Sequence, residues 1–197
     1  MRRIYINRDE AVSILAEALN RIVENKLLQF IDGTVIVNQR IFMKTYQGYA
    51  FTAGHRFENV ASDSEVNVAL RVPEDAGREV FFMIVEVSTL AQAHIDLCFD
   101  AYQSGGTELK AVNLRRSLKD TINPVAEVLH SVTYTPGEDR LPLVHSGGSK
   151  QFAVGGLTEL GGSAIMAPGY DAVIAVTNKS ASSQDISIRL LWWEDEL

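Results

Sequence analysis

The apolar periodicity of this chain changes once, at Gly33, and that change limits the folds open to it. Between Asp9 and Gln29, Val12, Leu15, Leu19, Ile22, Val23 and Leu27 step by three and four. An α-helix turns about every 3.6 residues, so this spacing gathers them on one face. Asn7 or Asp9 offers a short side-chain oxygen to the first N–H groups of that helix. Asp32-Gly33 ends it with a pair that tolerates positive φ.

Beyond Gly33 the pattern is that of strands. Thr34–Val37 and Arg40–Met43 are β-branched or aromatic-rich runs. Val66, Val68, Leu70 and Val72 alternate with Glu65, Asn67, Ala69 and Arg71, which predicts a half-buried strand. Glu79–Val87 is almost continuously apolar and reads as a central strand buried on both faces. Ala93, Ile95, Leu97, Phe99 and Ala101 alternate with His94, Asp96, Cys98 and Asp100. Further strands are predicted at Glu108–Val112, Val125–Thr135, Leu141–His145 and Lys150–Val154. The clearest pair comes last: Ala172, Ile174 and Val176, a turn over Asn178–Ser183, then Ile186, Ile188, Leu190 and Trp192. Turn signals recur about every 8–12 residues, as a sandwich requires. No helical period separates the strands, which disfavours a parallel βαβ sheet. The expected fold is mainly β: an antiparallel, jelly-roll-like β-sandwich preceded by one N-terminal amphipathic α-helix.

Charge divides the chain in a similar way. Residues 1–60 carry 8 Lys/Arg and 6 Asp/Glu; residues 61–197 carry 10 and 19. Residues 1–60 are therefore expected to form a helix and extended arm for attachment or oligomerisation, and 61–197 the sandwich. With 197 residues and 46% hydrophobic content the chain can bury a core without metals or disulfides. The same content excludes global disorder. One cysteine excludes a disulfide framework. No apolar run reaches the ~18 residues of a bilayer-spanning helix. No apolar stretch follows the opening MRR, so no signal peptide is expected. A net charge of −7 disfavours nucleic acid as a partner.

Reactive constellations are weak. His94 and Asp96 share one face of a strand, about 7 Å apart by strand rise. With His130 or His145 they would suit a divalent metal. The plainer reading is a solvated row that Asp100 continues. A cupin-like metal enzyme needs a histidine after a Pro-x-Gly turn. Here Ala167-Pro168-Gly169-Tyr170 is followed by Asp171 and Val173 instead. Ser146–Lys150 and Gly155-Gly156 lack P-loop spacing and read as turns. No Gly-x-Ser-x-Gly elbow is present, and no spacing singles out a hydrolytic carboxylate pair. Cys98, between Leu97 and Phe99, reads as a structural thiol. Arg115, Arg116 and Lys119 make too small a basic cluster for a nucleic-acid footprint. Neither a catalytic residue, nor a metal site, nor a cofactor is expected.

Contact surfaces are better marked. Adjacent residues of a strand point to opposite faces, so one of Trp192 and Trp193 fills the core and the other meets an outer face or a partner. The helix stripe, with Leu15, Leu19 and Ile22, also needs cover from its own sandwich or another copy. These five residues are the candidate interface. Tyr102, Tyr134 and Tyr170 lie near turns, where rings can stack on sugars.

Residues 104–194 resemble virion structural proteins of tailed bacteriophages. The resemblance rests on Ser104–Leu109, Asn113–Arg116, Ala167–Tyr170, Val173–Ser180 and Ile186–Glu194. It implies a non-enzymatic capsid decoration (cement) protein, or a neck or tail component, located in the virion and made in the host cytoplasm. Its implied partners are copies of itself, as a homo-oligomer such as a trimer, and the major capsid or other virion proteins. A receptor- or carbohydrate-binding tail module is the alternative.

Overall fold

The computed structural model describes residues 43–116, 122–137, 140–145, 156–157 and 164–196. Residues 44–197 belong to one compact unit. It is built from two antiparallel sheets packed face to face. Sheet I contains β1 (Ala50–Val60), β3 (Arg78–Thr89), β7 (Val112–Asn113), β11 (Gly156–Leu157), β12 (Ala164–Met166) and β14 (Gln184–Glu196). Its order is β11-β3-β14-β1-β7, with β12 also on β3. Sheet II contains β2 (Glu65–Arg71), β4 (Ala93–Phe99), β6 (Thr107–Leu109), β8 (Glu127–His130), β10 (Arg140–His145) and β13 (Asp171–Asn178). Its order is β10-β4-β13-β2-β8-β6. A ribbon of β5 (Tyr102–Ser104) and β9 (Thr133–Thr135) stands apart.

Alternation builds the core between the sheets. Phe51 and Ala53 of β1 and Ile186, Ile188, Leu190 and Trp192 of β14 point inward from sheet I, and Val68, Leu70, Ile95, Leu97, Ile174 and Val176 from sheet II. Burying such side chains contributes about 1.5–3 kcal/mol each. The apolar run of β3 has a specific cause. Leu191 pairs with Ile84 but Trp192 with Phe82, so the ladder skips Met83. This bulge shifts the phase of β3: Val80 and Phe82 face the core before it, Val85 and Val87 after it. Phe81 is left on the outer face of sheet I, stacked on Trp193 with centroids 5.2 Å apart.

Part of sheet II, over β2, β13 and the end of β4, is buried on both faces, where the sequence predicts a half-buried β2. Asn67 and Ala69, in the polar phase of β2, are buried. The ribbon accounts for this. Ala101, Val132 and Tyr134, in and beside β5 and β9, pack with Ala69, Cys98 and Val173 in a second apolar cluster. Asn67 fixes the cover: its Nδ2 donates to the Val132 carbonyl at 3.0 Å and its Oδ1 accepts from the Val132 N–H at 2.8 Å.

The expected strand over Val125–Thr135 is split into β8 and β9, because Ser131 turns the chain with φ 56°. Gly106 makes the other turn of this region. Its φ is +93°, and a Cβ there would lie 2.6 Å from Val132 Cγ1, so no other residue fits without displacement. Residues 43–47 form a helical turn, so Met43, the described end of the expected β-run Arg40–Met43, is helical. β1, which lies before the charge shift near residue 60, runs between β14 and β7 in sheet I, so residues 50–60 of the expected arm are part of the sandwich. The helix expected over Asp9–Gln29 and the strands at Thr34–Val37 and Lys150–Val154 lie outside the described residues. Among the described residues no helix is long and apolar enough to cross a membrane.

Candidate functional site

Three polar assemblies stand out against this apolar frame, and they differ in how well they are satisfied. The first surrounds Glu194. It follows Trp192 on the inward phase of β14 and is fully buried. Arg78 Nη1 donates to its Oε2 at 3.0 Å. The Val125 and Ala126 N–H groups donate to Oε1 at 2.9 and 3.1 Å, and the indole N–H of Trp192 does so at 3.2 Å. Four residues from three segments thus share one carboxylate, which fastens the 122–126 loop across the end of the core. Breaking such a buried charged network is costly because the remaining partner keeps an uncompensated charge.

The second is the turn after β13. Asn178, fully buried, donates through Nδ2 to the Val60 and Ser182 carbonyls, both at 2.9 Å. Its Oδ1 accepts from the Ser180 N–H at 2.9 Å and from Gln184 Nε2 at 2.7 Å. Gln184 in turn accepts from the Ala91 N–H at 2.7 Å. This asparagine-centred turn replaces the backbone bonds that the chain lacks while it crosses between sheets.

The third assembly is open. A cleft of about 270 Å3 lies where the Pro168-Gly169 turn meets the end of β4 and strand β12. Phe99, Ala164 and Met166 give it apolar walls, and Asp100, Tyr170 and Asp171 supply polar groups. Tyr170 remains 50% exposed. Gly169 enters with φ +87°, which turns the chain so that Tyr170 precedes the first residue of β13. Burial pushes the Asp171 carboxyl above its ordinary pKa, against the opposing pull of the Gln103 amide and the Arg71 charge. Arg71 is a loose partner: its Nε is 3.9 Å from Asp171 and its Nη1 3.7 Å from Glu127. Gln103 of β5 is 5% exposed, and among the described residues neither of its amide atoms closes a hydrogen bond.

The tryptophans divide as strand geometry demands. Trp192 is in the core against Phe51, with centroids 5.8 Å apart. Trp193 lies on the outer face of sheet I and is itself 2% exposed. Leu15, Leu19 and Ile22 lie outside the described residues. The tyrosines disperse: Tyr102 is 77% exposed on the ribbon, Tyr134 donates to Glu65 at 3.1 Å, and only Tyr170 lines the cleft. Cys98 is buried in the second cluster. The metal reading of His94 and Asp96 loses its third ligand. His94 is exposed on the outer phase of β4, while His130 occupies the inward phase of β8, beyond β13 and β2 in the sheet. His145 sits opposite Ala93 in the β10–β4 ladder. Among the described residues no three His, Cys, Asp or Glu side chains gather as a metal site would need.

Glu194, Asn178 and Gln103 are not marked by sequence reasoning. Only Glu194 leaves a signal: a charged residue in phase with Ile188, Leu190 and Trp192 must be either exposed or partnered. No protein-family model, no curated protein and no solved structure matches the chain.

Proposed function

We propose that this chain is a non-enzymatic virion structural protein, a capsid decoration (cement) protein that binds copies of itself and the major capsid protein. The observation that supports this best is the task of the closing stretch on which the phage resemblance rests. Gly169 turns the chain, Asn178 knits the next turn, Trp192 fills the core, Trp193 stacks on Phe81 and Glu194 locks a loop. Most of the distinctive residues of that stretch hold the sandwich together, and Tyr170 is left at the surface. What is left to act is the surface.

Strand order supports the finer, jelly-roll reading. β1, β14 and β3 lie side by side in one sheet, and β2, β13 and β4 in the other, so successive strands alternate between sheets. The N-terminal segment, with Leu15, Leu19 and Ile22, is the proposed oligomerisation arm. The test is the native mass of the purified protein together with co-sedimentation on undecorated capsid shells. A symmetric oligomer that binds the shells is expected. Deleting residues 1–32 is expected to abolish assembly while β-type circular dichroism persists. A compact monomer indifferent to capsids would overturn the proposal.

The cleft favours a second reading, a receptor- or carbohydrate-binding module of a neck or tail. An exposed ring beside two carboxylates is a composition that takes a polyhydroxylated ligand. Glycan-array binding that disappears in Tyr170→Ala and Asp171→Asn would support it over the first. An array without signal would remove it.

A further inference from the structure

Two imidazoles meet where the edges of the two sheets come together. His55 of β1 and His130 of β8 stack in parallel, with centroids 3.9 Å apart and planes 8° apart. Phe57 meets both edge-on, at 4.6 and 6.0 Å. His130 Nδ1 lies 3.1 Å from Ser131 Oγ. The residues are half-buried, so protons reach them from solvent. We propose that this stacked pair is an acid-sensitive latch that holds the β6–β8 edge of sheet II against β1 at neutral pH and releases it when both rings are protonated.

The argument is one of facing charges. A neutral or singly protonated pair stacks well; a second proton puts two like charges about 4 Å apart. A carboxylate facing the pair would relieve this. Strand alternation places the nearby charged groups elsewhere. His55 shares the inward phase of β1 with Phe51 and Ala53, so Arg56 and Glu58 point to the other side, and Arg56 pairs there with Asp185 of β14. His130 shares the inward phase of β8 with Val128. Across from it stand Val68 of β2 and Thr107 of β6, both uncharged. Glu65 of β2 is on the opposite phase and accepts from Tyr134. Glu108 of β6 is also on the opposite phase and exposed. On β14, His55 pairs with Ile188. Burial, and then the charge of His55, lowers the pKa of His130. A histidine whose pKa is lower folded than unfolded contributes stability that is whole above about pH 6.5 and is lost as the pH falls.

The test is an NMR titration of the intact chain with amide exchange read alongside. His130 is expected to titrate below the ordinary imidazole range. In His55→Phe, which keeps an aromatic ring in the stack, the His130 value is expected to rise. Protection of the β6 and β8 amides is expected to fall about tenfold more than that of β13 between pH 7.5 and pH 5, after correction for intrinsic exchange. A His130 that titrates at the ordinary imidazole value would overturn the proposal. So would a lowered His130 titration with no selective loss of protection at β6 and β8. Both readouts use the unmodified protein, so a variant that fails to fold leaves the test intact.

Discussion

Glu194 and Gln103 are both polar side chains sealed from water, yet they stand at opposite extremes. Glu194 accepts from an arginine, an indole and two backbone amides, whereas Gln103 lies beside Asp171 without closing a hydrogen bond. A satisfied buried network rigidifies and specifies one arrangement; an unsatisfied group weakens its surroundings and marks a place that a ligand can improve. The same end of the sandwich therefore holds one polar group that is fastened and one that is incomplete, the second beside Asp171 of the cleft.

Mutation can break this contrast, and the largest effect is expected at the fastened carboxylate. Glu194→Ala strands Arg78 and two amides and should cost about 3–5 kcal/mol in denaturant-unfolding free energy. A loss below about 1 kcal/mol would mean that water replaces the carboxylate and that its site is not sealed. Asn178→Ala should cost about 1–3 kcal/mol, because the Ser180 N–H and the Val60 carbonyl lose their partner. Asp171→Asn should raise stability at neutral pH by less than about 1 kcal/mol, since the exposed part of the carboxylate is screened. Its sign follows from the raised pKa: the folded state holds the Asp171 proton more tightly than the unfolded chain. The gain over wild type therefore fades as pH falls through the carboxylate range, which paired melts from pH 7 to pH 4 would register. Gln103→Leu is expected to be nearly neutral, within about 0.5 kcal/mol of wild type. A clear destabilisation there would show that the amide has a partner and would erase the contrast.

Much of the sandwich is legible in the sequence. The phases of β13 and β14 follow directly from Ala172, Ile174 and Val176 and from Ile186 to Trp192, because each strand has one inward set. The opposite placement of the two tryptophans follows from the same rule. Alternation alone does not reveal the second buried face of sheet II, because the cover comes from a ribbon distant in sequence. A trace exists: Ala69, Cys98 and Ala175 occupy the polar phase with small side chains, the sort that lets another layer approach. The cleft is less legible still. Asp100 and Asp171 are far apart in the chain and meet only because β4 and β13 are neighbours in one ladder. The stacked histidines are further out of reach, since β1 and β8 lie in different sheets.

The order of strands also has a consequence for synthesis. β14 lies between β3 and β1, and β13 lies between β4 and β2, so each sheet is zipped by a strand made after its neighbours. Until residues 171–196 leave the ribosome, the nascent chain holds two half-sheets with raw inner edges and no means of joining them. Contacts this distant in sequence form slowly, and unpaired edges invite association with other chains. A protein built this way reaches its native state after translation has passed its last strand, and until then its solubility depends on whatever shields those edges.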